Sequence, residues 1–407
     1  MKYNKIFNLK FTLKYLLGIN DNVSEYRKLN IYNTDFLQNA LLVHITEPFQ
    51  LNVEINNHTS YGHTNFKESK YIAQSLKNTG FNVDVIDFDT PPNFNLDNYD
   101  LIIGFGEALE QSFYSGSIKN PIRIFYGTGQ HPHYANRQSI ITVHENYVET
   151  GIWLGKLSRV VEKSWPFQLA FSDIIVSLGN EYVRDTYRLE NSRISVEHNI
   201  NYFTLNCFYH QGLELGLVRL ETKSIHSQKN IFCWFGSGGS IHKGLFKLIS
   251  VIQSIINEGI EIELLICGLE SHEKKALFDA FGYISFVTDL GKLNLSLESD
   301  REKLKSVSFN IFPSVSEGGS PSILNLGAVC GIPTICGKEV GLDEEVIGIQ
   351  LNSQAKEELY SVLKYTLEIS NSEYSKICQR VYSNIIECYT ESNYLKNWNR
   401  ILHFLKR

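Results

Sequence analysis

Two loops carry the residue types and spacing from which chemistry can be built. The first is Trp234-Phe235-Gly236-Ser237-Gly238-Gly239-Ser240-Ile241-His242-Lys243-Gly244. It joins an apolar run at 230–235 to a segment with Leu245, Leu248, Ile249, Ile252, Ile255 and Ile256 at helical spacing. A strand–loop–helix turn of this kind lies at the C-terminal edge of a parallel sheet, where open α/β folds bind ligands. Gly236, Gly238 and Gly239, with Ser237, let backbone N–H groups approach an anion closely. The helix N-terminus after Gly244 adds partial positive charge, and Lys243 adds a full one. A charge-assisted hydrogen bond to phosphate is worth about 1.5–3 kcal/mol. The loop is neither a Walker A motif nor GxGxxG, because its glycine and lysine spacing differs from both. The plain alternative is a flexible turn with a surface lysine.

The second loop is Pro313-Ser314-Val315-Ser316-Glu317-Gly318-Gly319-Ser320-Pro321-Ser322, again between an apolar run (307–313) and a helical pattern (322–330). Glu317 is a carboxylate among small polar residues, suited to accept hydrogen bonds from hydroxyls. Gly318, Gly319 and Ser320 leave N–H groups open at the helix start. The same residues also read as a cap, with Ser320 at N-cap and Pro321 at N1, and the two readings are compatible. A third stretch, 126–137, holds Gly127, Gly129, His131, His133 and Arg137 after the run at 122–126, and reads as a polar wall. His131 and His133 come with no carboxylate or third ligand at metal spacing. Asp87-Phe88-Asp89 sits at a strand end before Pro91-Pro92 and reads as a turn rather than a metal site.

The elements that must position these residues alternate as strand and helix in two series, the pattern of α/β units with parallel sheets. In the first, strands are expected at 40–45, 82–87, 101–104 and 122–126, with a helix at 66–78. In the second, strands are expected at 230–235, 261–267, 283–287, 307–313 and 333–336, helices at 245–256, 272–281 and 322–330, and helical structure from 355 onward. Patterning weakens at 205–228, which places the domain boundary there, with domains at 1–215 and 216–407.

A chain of 407 residues with 43% hydrophobic and 20% charged residues has material for two folded domains. A net charge of −6 gives no global basic field and argues against nucleic acid. Seven scattered cysteines without a CxxC pair read as reduced thiols in a cytoplasmic protein. No apolar run reaches the ~20 residues that span a bilayer. Residues 1–30 carry six Lys/Arg and two Asp/Glu, a local +4. The segment 1–20 reads either as a basic amphipathic helix at the inner face of a membrane or as one packed on its domain.

The two glycine loops, about 75 residues apart, together resemble the donor half of the family 4 retaining glycosyltransferases. That family has a Gly-rich loop ending in Lys-Gly, then a Ser-x-x-Glu-Gly loop opening a helix. The resemblance covers 230–340. It implies a GT-B fold: two Rossmann-like domains with parallel sheets facing a cleft, the first for the acceptor and the second for a UDP- or GDP-linked nucleotide-sugar donor. The C-terminal helix at 394–406 would cross back to the first domain. Lys243 and the amides near Gly238 and Gly239 would hold the donor diphosphate, Glu317 would contact the donor sugar, and the amides of Gly318 to Ser320 would line its pocket. A histidine near the reacting carbon is assigned to His131, over His133, His144, His58 and His63. His63, His133 and Arg137 would face a saccharide or lipid-linked acceptor. With Lys243 and helix N-termini to neutralise phosphate, no metal cofactor is needed.

Two departures stand against the pattern. The loop arginine expected before the lysine is Ser237 or Gly238 here, and a second glutamate that contacts ribose is replaced by Asn325. These departures support a non-catalytic sugar-nucleotide-binding protein, which stands, with a sugar-nucleotide epimerase built on the same fold, beside a transferase of polysaccharide or cell-surface glycan biosynthesis.

Overall fold

The computed structural model describes residues 26–49, 64–114, 120–194, 199–210 and 230–405. The chain divides into two units, Met1–Arg123 and Ile124–Arg407. Most of the boundary expected at 205–228 falls outside the described residues.

In the first unit β1 (Arg27–Lys28), β2 (Gln38–Val43), β3 (Phe81–Ile86) and β4 (Leu101–Gly104) line up in the order β1-β3-β2-β4. The inner three are parallel, with Ala40 opposite Val83 and Leu101, and β1 is antiparallel at the edge. Ala40, Leu41, Leu42 and Val43 are all buried, as expected of a parallel strand covered on both faces. Helix α1 (Asn65–Asn78) packs through Ile72, Ala73 and Leu76. Here α2 (Glu107–Gln111) follows β4. At the end of β3, Asp87 Oδ1 accepts from the Asp89 amide at 3.1 Å, so this pair of acids forms a turn. No group of acids, histidines and cysteines suited to a metal occurs among the described residues.

The second unit begins with three parallel strands, β5 (Ile122–Gly127), β6 (Ile174–Leu178) and β7 (Asn201–Leu205). Between them run α3 (Pro132–Thr150), α4 (Pro166–Phe171) and α5 (Glu181–Ser192). The same unit holds a wholly parallel six-stranded sheet. Its strands are β8 (Ile231–Phe235), β9 (Glu263–Cys267), β10 (Val287–Gly291), β11 (Phe309–Ile311), β12 (Thr334–Gly337) and β13 (Ile349–Leu351), in the order β10-β9-β8-β11-β12-β13. Helix α6 (Leu245–Ile256) buries Leu245, Leu248, Ile249, Ile252 and Ile255 and exposes Gln253 and Ser254. Helices α7 (Ser271–Phe281), α8 (Glu298–Glu302) and α9 (Pro321–Asn325) follow successive strands. At the centre, fully buried Asn310 accepts from the Phe235 amide at 3.0 Å and donates to Thr334 Oγ1 at 3.1 Å. Its amide is satisfied by the two neighbouring strands, which is what a buried polar group requires.

Two elements differ from expectation. The strand expected at 283–287 lies later, because Val287 to Asp289 pair with Leu264 to Ile266, while Tyr283 is 87% exposed. The helix expected at 322–330 is α9 followed by a π turn at Leu326–Cys330. There Gly327 packs so tightly that a Cβ would lie 2.5 Å from Ile385 Cδ1. The chain ends in α10 (Lys356–Glu368), α11 (Asn371–Cys388) and α12 (Glu391–Phe404). Helix α12 lies on the β5–β7 layer. The Tyr394 and Tyr126 hydroxyls are 3.0 Å apart, Trp398 stacks edge-on to Tyr126, and Phe404 to Phe203. None of the seven cysteines is in a disulfide, and only Cys388 is exposed.

Candidate active site

The site is built where β8 and β11 end. Gly244 takes the left-handed conformation (φ 73°) that opens α6, and a Cβ there would stand 2.3 Å from the Pro313 carbonyl oxygen. Only glycine permits this approach, so Gly244 sets the distance between the two loops. His242 ties them together. Its Nε2 lies 2.7 Å from the Ser316 carbonyl oxygen, and its own carbonyl accepts from the Val315 amide at 3.1 Å. Trp234 Nε1 donates to the Lys243 carbonyl at 3.1 Å, and Gly236 leaves room for that indole ring.

Lys243 is buried, and its ammonium donates to the Ser237 carbonyl at 2.6 Å and to Ser237 Oγ at 3.2 Å. Burial pushes its pKa down from the ordinary value, opposed by the charge of Glu317. Glu317 is fixed from several sides. Ser314 Oγ donates to its Oε1 at 3.0 Å, and Arg159 Nη1 to its Oε2 at 2.8 Å. Its amide donates to the Glu339 carbonyl at 2.9 Å. Burial works to raise its pKa, but the charges of Arg159, Lys243 and His242 outweigh that, and the carboxyl stays below its ordinary range. An ionised carboxylate flanked by two cations therefore sits just before α9.

The loop bearing Glu317 is pressed against the loop after β5. A Cβ on Gly318 would lie 2.4 Å from Gly129 Cα and 2.5 Å from the Thr128 carbonyl oxygen. Gln130 Nε2 donates to the Glu339 carbonyl at 2.9 Å, the same oxygen that accepts from Glu317. His131 caps α3: its amide donates to Thr186 Oγ1 at 3.0 Å, and its Nδ1 accepts from the His133 amide at 3.2 Å. Its ring stacks edge-on against Tyr187, whose hydroxyl donates to the Gly129 carbonyl at 2.8 Å. Burial first, then the charges of His133 and Arg137, lower its pKa to about 3. His131 is thus a neutral imidazole that carries its proton on Nε2.

His131 and the equally buried His44, also lowered to about 3 by burial, give a pH dependence. In the unfolded chain both take up a proton near the ordinary 6.5, whereas in the folded chain they do not. Their contribution to stability is complete above that pH and is lost as pH falls from 6.5 toward 3. At pH 5 each costs about 2 kcal/mol. Urea unfolding at pH 7.5 and 5.0 is expected to show a loss of about 4 kcal/mol from the two together, and equal midpoints would contradict it.

Several expected binding groups are already engaged. The amides of Gly239 and Ser240 both donate to Glu273 Oε1 at 2.8 Å, so the Gly239 amide does not stand open to an anion. Glu273 also caps its own helix, accepting from the Glu270 amide at 3.2 Å. The Gly319 amide donates to the Val340 carbonyl at 2.9 Å, while those of Gly318 and Ser320 have no protein acceptor among the described residues. Gly238 lies near Glu270, 3.4 Å from its Oε1 to a Cβ position. Asn325 Oδ1 accepts from the His210 amide at 2.9 Å, at the place the resemblance gives to a ribose contact. Arg137 pairs with Glu190 at 3.1 Å, where Arg193 also binds at 2.8 Å. The His133 side chain is exposed beside His131. His63 and residues 1–20 lie outside the described residues. Arg159, Glu273 and His242 had no assigned role in the sequence reading. Glu273 had one local signal, its position in the first turn of α7.

The topology and the strand-end loops define an α/β fold with parallel-strand sheets, and this is the GT-B fold. Sucrose-phosphate synthase from Thermosynechococcus elongatus matches with a TM-score of 0.59, covering 90% of this chain and 99% of its own at 13% identity. Anabaena Alr3699/HepE, solved in complex with UDP-glucose, matches at 0.52, covering 90% and 99% at 11% identity. TarM matches at 0.49 and 13% identity over 75% of this chain, which spans about half (55%) of TarM. No protein-family model and no curated sequence matches the chain. Among the described residues, no helix is long and apolar enough to cross a membrane.

Proposed function

We propose that the chain is a glycosyltransferase, moving a sugar from a nucleotide-sugar donor held by the loops after β8 and β11 to a saccharide or lipid-linked acceptor. The observation that carries this reading is Glu317: a carboxylate kept ionised by Arg159 and Lys243, at the start of a helix, between loops packed glycine against backbone. Such a group accepts hydrogen bonds from sugar hydroxyls. Lys243 offsets the charge that develops on a departing diphosphate, the electrostatic role that matters most in such transfers. His131, neutral and with Nε2–H as donor, serves the sugar side. In this reading residues 216–407 form the donor domain, the stretch 127–137 contributes to the acceptor side, and the anomeric configuration is retained. No metal is required, because Lys243 and the amides at the start of α9 supply the positive potential. The binding of UDP-glucose by the similarly folded Alr3699/HepE supports a nucleotide-sugar donor. The basic segment at 1–30 supports a glycolipid or cell-surface glycan acceptor reached at the inner membrane face.

A second reading, binding without turnover, is favoured by Asn325, whose side chain serves the His210 amide, and by Glu273, which occupies the loop amides.

Thermal unfolding against a panel of UDP-, GDP-, ADP- and TDP-sugars tests the donor reading. A ligand at about 100 times its dissociation constant stabilises the folded state by roughly 2.7 kcal/mol. The expected result is a shift with one nucleotide class that Lys243→Ala abolishes. A folded protein stabilised by none of them overturns the reading.

A further inference from the structure

Arg159 brings to the glycine loop a guanidinium that the loop's own sequence lacks. Its backbone is pinned. The Arg159 amide donates to Ser139 Oγ at 2.9 Å, and Val161 and Asn136 exchange hydrogen bonds at 2.7 and 3.0 Å. The side chain runs past Gly239, with Cδ 3.7 Å and Cβ 3.9 Å from where a Cβ on that glycine would stand. Its head reaches Glu317 at 2.8 Å and is 53% exposed. Apart from that bond to Glu317, its N–H groups have no partner among the described residues.

The loop amides cannot do this work alone. Those of Gly239 and Ser240 are both spent on Glu273 at 2.8 Å. Lys243 supplies one cation, itself tied to Ser237. A pyrophosphate carries more charge than one ammonium offsets, and its paired oxygens suit the planar fork of a guanidinium.

We propose that Arg159 is a binding residue for the pyrophosphate of the nucleotide sugar and that it holds Glu317 in an ion pair until that group arrives. The inference rests on the donor reading above. Before a donor arrives the pair keeps a largely buried carboxylate partnered, where an isolated charge would carry a large penalty. An arriving pyrophosphate competes for the guanidinium, and Glu317 is freed to accept from sugar hydroxyls. Donor binding and exposure of the sugar-binding carboxylate are then one event.

Calorimetric titration of UDP, GDP, ADP and TDP, each beside its monophosphate, into wild type, Arg159→Ala, Glu317→Gln and the double variant, at low ionic strength, tests this. Arg159→Ala is expected to weaken the bound nucleoside diphosphate about tenfold and its monophosphate much less. Glu317→Gln is expected to tighten the diphosphate severalfold, because a neutral amide no longer competes, and this gain vanishes in the double variant. A merely structural arginine would not produce a gain that depends on Glu317. An unchanged diphosphate-to-monophosphate ratio in folded Arg159→Ala overturns the inference and leaves the donor reading standing. If Arg159→Ala does not fold, failure of Glu317→Gln to tighten the diphosphate overturns it. If wild type binds none of these diphosphates, the donor reading falls and the inference with it.

Discussion

Replacing Glu317 with alanine is expected to lower sugar transfer by roughly 10²-fold, the size of effect found when one preorganised electrostatic contact is removed. The carboxylate is held before substrate arrives, by Ser314 Oγ at 3.0 Å and Arg159 at 2.8 Å, with its own amide on the Glu339 carbonyl at 2.9 Å. Ser314 and the backbone bond still hold it once Arg159 turns to a pyrophosphate, so little reorganisation of the carboxylate is needed when a sugar binds. Alanine also strips buried Lys243 of the negative charge that opposes its desolvation. Glu317→Gln keeps a hydrogen-bonding group of the same shape and is expected to lose less. Rates for the three proteins, with circular dichroism to confirm folding, decide the matter. An alanine variant within twofold of wild type would place the carboxylate away from the reacting sugar.

Gly318→Ala is the second large effect expected. A Cβ there meets backbone on the facing loop, Gly129 Cα at 2.4 Å and the Thr128 carbonyl at 2.5 Å. Backbone cannot swing aside as a side chain can, so one loop must shift. Overpacking of this kind costs about 1–3 kcal/mol, and a displacement near 1 Å in a catalytic constellation costs about 10²-fold in rate. Gly129→Ala is the matched control, because a Cβ there meets nothing within 4 Å. Urea unfolding and transfer rates for the two variants should separate clearly. If Gly318→Ala behaves like Gly129→Ala, the loops are not packed as described.

Much of the fold was legible because parallel strands buried on both faces are short, apolar and bounded by glycine. The strand expected at 101–104 appears as Leu101–Gly104, and the helix at 245–256 as Leu245–Ile256. Hydrophobicity misplaced the strand after α7, since the run at 283–287 is apolar in composition yet Tyr283 faces solvent. The two chemical loops were visible for the same reason their elements were: glycine and small polar residues interrupt the apolar rhythm. Their partners were not. Arg159 stands 158 residues before Glu317, and no local pattern announces a pair made only by tertiary packing. Glu273 read as an ordinary first-turn acid, and its hold on the Gly239 and Ser240 amides needs the folded loop to be seen. For Asn325 and Arg137 residue type suggests ligand contacts, and the protein partners that the fold adds, the His210 amide and Glu190, were likewise not legible.

The most direct test of transfer is the release of nucleoside diphosphate from whichever nucleotide sugar stabilises the protein, measured by mass spectrometry for wild type and Glu317→Gln. Release by wild type above the protein-free blank, accelerated by lipid or glycan extracts that supply acceptor and reduced in Glu317→Gln, is the expected result. A donor that binds and stays intact with every acceptor extract would contradict transfer and leave binding without turnover as the function of this site.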